Sequence, residues 1–229
     1  MTSDTHNRRE IRSFVKREGR LTPGQQRALD NHWPEFGIED DTDLSNLDEL
    51  FGRPAPKVIE IGFGNGSSLI EMAINQPECD FIGIEVHRPG VGQLLKAIND
   101  NQLRNVRVAC TDAVALIKHR ITDSSLSRVQ IFFPDPWHKK RHNKRRIIQS
   151  EFVNVLADKI QSGGHLHLAT DWEDYAVQML ADVSENTRFI NTSSDNSYIE
   201  RPKYRPLTKF EQRGHLLGHG VWDLLFKKK

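Results

Sequence analysis

From residue 57 onward the chain alternates short apolar runs with stretches of helical periodicity. "KVIEIGFG" predicts a strand. "SSLIEMAI" predicts the start of a helix, with Ser68 and Glu71 in capping-box spacing. "DFIGIEV" predicts a second strand. "GVGQLLKAINDNQL" then places Val91, Leu94, Leu95 and Ile98 on one helical stripe. The alternation continues with "VRVACTD" as strand, "AVALIKHRI" as helix, "RVQIFFPD" as strand, "IIQSEFVNVLADKI" as helix and "GGHLHLATD" as strand. Trp172, Tyr175, Ala176, Met179, Leu180 and Val183 mark a further helix facing a core, and "VWDLLFK" a last strand. Apolar strands alternating with amphipathic helices predict an α/β fold, a mostly parallel sheet with helices on both faces.

The first 50 residues break this rhythm. "IRSFVKREGRLTPGQQRAL" is basic and predicts partial helix, whereas "EDDTD" and "GRPAP" read as loop and linker. The expected organisation is an N-terminal extension over 1–50, mobile at its start and covering or edging the core, followed by one domain over 51–229. Charge sharpens the division. Residues 1–27 hold seven Lys/Arg against three acids, and residues 28–50 hold eight acids and no Lys/Arg. Residues 201–213 hold five Lys/Arg against Glu211, yet the net charge is only +1. Basic patches beside an acidic shoulder suit an anionic partner, with nucleic acid the natural one.

Cys79 and Cys110 are far apart and beside apolar runs, which suits buried thiols better than a disulfide or a zinc site. No apolar run reaches the roughly 18 residues of a membrane span, and "MTSDTHNRRE" has no apolar signal core. A soluble, cytoplasmic protein is expected. His138, His142, His165, His167, His215 and His219 show no metal-ligand spacing, so no metal is expected.

The chemistry gathers at the predicted strand ends. Gly62, Gly64 and Gly66 lie in the first strand-to-helix turn, where a ligand can approach the backbone. Their spacing is G-x-G-x-G, not the G-x-G-x-x-G that seats a pyrophosphate. Glu60 precedes the turn, Glu85 ends the second strand, Asp112 the third, Asp135 the fourth and Asp171 the fifth. Asp112 and Asp171 could serve helix N-termini, and Glu60 could pair with a lysine. Five acids on one rim exceed what capping explains. They suit a ligand with a ribose and a positive centre, for which S-adenosylmethionine is the candidate. An acid some 20 residues after the glycine turn, such as Glu85, commonly takes a ribose diol.

Asp135 opens "FFPDPWHKKRHNKRR", where it is boxed by prolines and followed by six Lys/Arg in eight positions. The charge run suits phosphate contacts that supply affinity with little sequence information. Trp137 could stack on a base or pack beneath the loop; the sequence leaves both open.

These segments resemble a known family. "EIGFGNG", "GIEVH", "FFPDPWHKKRHNKRR", "ATDWEDYA" and "RPLTKFEQRGHLLGHGVWDL", with "IRSFVKREGRLTPGQQRAL" near the start, are similar to the bacterial tRNA (guanine-N7)-methyltransferases. The resemblance implies a Rossmann-like class I methyltransferase fold with a seven-stranded sheet and an antiparallel last strand. It also implies methylation of a guanine in the tRNA variable loop, at position 46. By motif, Glu60, Gly62, Gly64, Gly66, Glu85, Asp112 and Asp135 would form the cofactor site, with Asp135 also catalytic. Lys139, Asp171, Thr208, Lys209, Phe210 and Glu211 would contact the substrate. Arg141, His142, Asn143, Lys144, Arg145 and Arg146 would bind RNA. The expected partner is tRNA, to a monomer or homodimer. N7 of guanine carries a lone pair and no proton, so a base is not required before attack. Asp135 and Asp171 could stabilise positive charge on the purine or accept its N1 and N2 hydrogens. Methylation of an exocyclic amine, an NAD-dependent oxidoreductase and a non-catalytic RNA-binding module are the competing readings.

Overall fold

The computed structural model describes residues 13–14, 19–208, 211 and 220–229. In chain order these form α1 (Pro23–Phe36), β1 (Gly37–Ile38), α2 (Leu47–Phe51), β2 (Lys57–Ile61), α3 (Ser67–Asn75), β3 (Asp80–Ile84), α4 (Arg88–Asp100), β4 (Val106–Ala109) and α5 (Ala113–Arg120). Then follow β5 (Leu126–Phe132), a 3-10 turn (Lys140–Arg145), α6 (Ser150–Lys159), β6 (Ile160–Thr170), α7 (Glu173–Ser184), β7 (Phe189–Asn191) and β8 (Trp222–Lys228).

The strands form one sheet in the order β1-β4-β3-β2-β5-β6-β8-β7. The run from β1 to β6 is parallel, and β8 inserts antiparallel between β6 and β7. Among the described residues the sheet has eight strands where seven were expected. The additional one is the two-residue β1, which pairs with β4 through Gly37 and Ile38. Its apolar signal is too short to read. β7 falls in a stretch equally plain in sequence.

Alternation along the strands divides the core. Ile59 and Ile61 face one side with residues of α5, α6 and α7. Val58 faces the other with α3, α4 and α1. Residues 23–50 are built into both clusters, through Ala28, Leu29 and Phe36 on one side and Leu44 and Leu47 on the other. α1 begins with Thr22 and Gln25 capping each other and Pro23 in the first turn.

α3 starts differently from the sequence expectation. Gly66, at φ +79°, is its N-cap, and no side chain caps it. A Cβ at Gly66 would lie 2.7 Å from Leu94, so glycine serves the approach of α4 as well as the left-handed turn. Ser68 consequently sits inside the helix, and its buried hydroxyl has no hydrogen-bond partner.

Candidate active site

Parallel strands deliver their loops to one edge. The order reverses between β2 and β5, and a crevice opens there at the carboxyl ends of the strands. A cavity of about 620 Å³ occupies that position. Its lining includes Gly62, Glu85, Asp112, Asp135, Lys139 and His142 from the predicted set.

Glu85 is fixed by backbone N–H groups. Its Oε1 accepts from Val86 at 2.7 Å and His87 at 3.0 Å, and its Oε2 accepts from Gly64 at 3.0 Å. The glycine-turn donor a pyrophosphate would need therefore already holds a carboxylate. Asp112 caps α5 through Val114 N–H at 2.9 Å and also lines the cavity. Gly62 and Gly64 have φ of +73° and +60°. Gly90 seats this turn: a Cβ there would lie 2.1 Å from the Gly64 carbonyl oxygen.

Glu60 is not among the lining residues. Period-2 alternation turns it to the α3 face, one residue before the cavity-lining Ile61. There it accepts from Gln130 Nε2 at 2.8 Å. Burial pushes its carboxyl from 4.5 up to about 7, against the opposing pull of that bond and of Arg128.

Asp135 is exposed at the cavity lip. Beyond it, Lys139, Lys140, Arg141 and Lys144 are exposed, and His142 and Asn143 half-buried. Desolvation and then the neighbouring cations hold His142 below its ordinary value. Arg145 lies over the Trp137 ring at 4.2 Å, so one ring face is covered. The Trp137 indole N–H donates to the Ser13 carbonyl at 3.2 Å, and Ser13 and Phe14 line the cavity, a role no sequence signal marked. Arg146, the last cation of the run, is buried. Asp171 is exposed just before α7, outside the cavity lining. The adjoining Trp172 is 38% exposed and packs edge-on against cavity-lining His138 at 4.2 Å.

Thr208 and Glu211 form a reciprocal pair. Glu211 N–H donates to Thr208 Oγ1 at 3.1 Å, and Thr208 N–H to Glu211 Oε2 at 3.4 Å. T-x-x-E is a capping-box signature, readable in the sequence. The Glu211 carboxylate is buried and bound by Arg205 through two hydrogen bonds at 2.7 and 2.8 Å. Arg205 binds Asp223 equally through two at 2.7 Å. Burial opposes the charge on Asp223, yet His167 and Arg205 donate strongly enough to hold its carboxyl below the usual range. Burial lowers His167, which sits between Asp223 and the Tyr204 hydroxyl at 2.8 Å each. Lys209 and Phe210 lie outside the described residues.

Among the described residues no cluster of three or more His, Cys, Asp or Glu is placed to hold a metal ion, and no helix is long and apolar enough to cross a membrane.

The strand order, the antiparallel β8 and the acid-rimmed cavity at the switch point define a class I methyltransferase. A 16S rRNA methyltransferase, KamB, shares the fold with a TM-score of 0.59 at 14% identity, over 85% of this chain and 99% of that one. TrmN from Thermus thermophilus shares it with a TM-score of 0.52 at 16% identity, over 80% of this chain and 47% of that one. A family model described as "Putative methyltransferase" matches residues 54–224. The tRNA (guanine-N(7)-)-methyltransferases of Escherichia coli (strain K12) and Shigella boydii serotype 4 (strain Sb227) are each 56% identical over 220 residues, 96% of this chain and 92% of theirs. The chain belongs to the tRNA (guanine-N(7)-)-methyltransferase family.

Proposed function

We propose that this chain methylates N7 of a guanine in the tRNA variable loop, at position 46, using S-adenosylmethionine. The observation that carries this is one strand end that offers an acid to the cavity and cations beyond it. The loop after β5 puts the exposed Asp135 on the cavity and four exposed cations directly beyond it. A methyl donor bearing positive charge suits a wall of Glu85, Asp112 and Asp135, while a polyanion suits Lys139, Lys140, Arg141 and Lys144.

The cofactor fits the donor chemistry present. The cavity wall is largely apolar and carries three carboxylates, Glu85, Asp112 and Asp135, and Glu85 already takes the Gly64 N–H that a diphosphate would seek. Gly62 shapes the wall, Gly64 and Gly66 the turn, and Glu60 stands behind it. S-adenosylmethionine supplies an electrophilic methyl group. The protein's task is then placement and electrostatics. Holding the guanine in line can contribute roughly 7–11 kcal/mol in favourable cases. Asp135 and Asp171 would face the positive charge that develops on the purine, or accept its N1 and N2 hydrogens. Lys139, Thr208, Lys209 and Phe210 would contact the substrate, with Glu211 holding Thr208 and Arg205 behind them. Arg141 to Arg145 would hold tRNA.

Turnover on unmodified tRNA with labelled cofactor, followed by mapping of the methylated atom, tests the reading. Asp135→Ala should lose roughly 10²–10³-fold in turnover while tRNA still binds. Near-wild-type turnover would refute a catalytic Asp135, and label on an exocyclic amine would refute N7.

A further inference from the structure

The loop presenting Asp135 is strained on both sides. Phe133 and Trp137 bracket Pro134–Pro136, and both have left-handed φ, +52° and +48°. Bulky residues hold that conformation only where their surroundings over-determine it. Arg205 lies against the Phe133 ring at 5.6 Å and Arg145 against the Trp137 ring at 4.2 Å. Arg146 reaches the loop backbone itself. Its Nε donates to the Pro136 carbonyl at 2.8 Å, one residue beyond Asp135. Its Nη1 donates to Gln178 Oε1 at 2.7 Å and its Nη2 to Asp174 Oδ2 at 2.6 Å, both on α7. The guanidinium also lies over the ring of Tyr175 at 4.7 Å. Arg146 is 3% exposed.

We propose that Arg146 is a positioning residue for the Asp135 loop and not a tRNA phosphate contact, an inference that rests on the methyl-transfer reading above. All three guanidinium nitrogens donate to protein acceptors, whereas a phosphate contact must turn its donors to the ligand. The helix it engages begins two residues after Asp171. One side chain therefore ties the Asp135 loop to the element that presents Asp171, and sets the separation of the two acids proposed to face the guanine. Lysine cannot replace it, because a single ammonium lacks the fixed fork that spans Pro136, Gln178 and Asp174.

The test compares Arg146→Lys and Arg146→Met in the full chain. The readouts are kcat at saturating unmodified tRNA and the salt dependence of tRNA binding. Both variants should lose about 10–100-fold in kcat, as expected for a misplaced catalytic group. Their plots of log Kd against log salt should keep the wild-type slope. A phosphate contact predicts the opposite: Lys substitutes, and Met lowers the slope by about 0.7–0.9 with kcat intact. That result overturns the proposal. Should Arg146→Met fail to bind S-adenosylhomocysteine or to fold, the double variant Asp174→Asn, Gln178→Leu releases the same guanidinium. It should lower kcat severalfold with the slope unchanged, and an unchanged kcat would overturn the proposal too. Absence of methyl transfer by the wild-type chain would instead overturn the functional reading.

Discussion

Glu60→Gln separates burial from charge at one carboxyl. Glu60 is 3% exposed on the α3 face, where Gln130 Nε2 donates to it at 2.8 Å. Burial, its dominant influence, raises the folded value from 4.5 to about 7. The folded state therefore favours the protonated carboxyl. Stability is full below pH 4.5, falls as pH rises towards 7, and levels off above it. Across that gap the cost is about 3 kcal/mol at pH 8 and under about 1 kcal/mol at pH 5. Glutamine keeps the shape and can still accept from Gln130, but carries no charge. Relative to wild type, the variant should gain about 2 kcal/mol or more between pH 5 and pH 8, roughly 5–10 °C in Tm for a chain of this size. Thermal unfolding of both proteins at the two pH values measures it. A Tm difference that is the same at both would refute the reasoning, because the carboxyl would then ionise alike in folded and unfolded chains.

Arg205→Met should destabilise by about 3–5 kcal/mol in denaturant unfolding, because it leaves the buried Asp223 and Glu211 carboxylates without their shared cation. Gly90→Ala drives a methyl group to 2.1 Å from the Gly64 carbonyl, so the glycine turn must shift. Calorimetry should show S-adenosylhomocysteine affinity reduced about tenfold or more, with about 1–3 kcal/mol of stability lost to overpacking. Replacing the exposed Lys139, Lys140, Arg141 and Lys144 by alanine should weaken tRNA binding and flatten its salt dependence, by about 0.7–0.9 in slope for each phosphate no longer neutralised. An unchanged slope would place the tRNA elsewhere.

The parallel strands were legible because helices cover both faces of the sheet, leaving runs such as Val58–Ile61 and Phe81–Ile84 buried throughout. The glycine turn was legible because its backbone demands positive φ. The acids Glu85, Asp112 and Asp135 were legible because strand ends in this topology share one edge. Smaller elements were not. β1 and β7 have two and three residues, and their pairing depends on β4 and β8, far away in the chain.

The chain by itself determined the α/β alternation, the acid-bearing strand ends and the cationic run after Asp135, all of which follow from local periodicity and composition. Only the tertiary structure decided which way individual charged side chains point. Glu60 and Arg146 belong to motifs whose residue types suggest a ligand, yet packing turns both inward. Glu60 goes to the α3 face by strand alternation, and Arg146 goes to Pro136 and α7 because its planar fork matches three acceptors there. Arg205 likewise gains Asp223 only because β8 brings it beside the local Arg205–Glu211 pair. A charge is written in the sequence, but its partner is set by distant segments that the fold brings within a few ångströms.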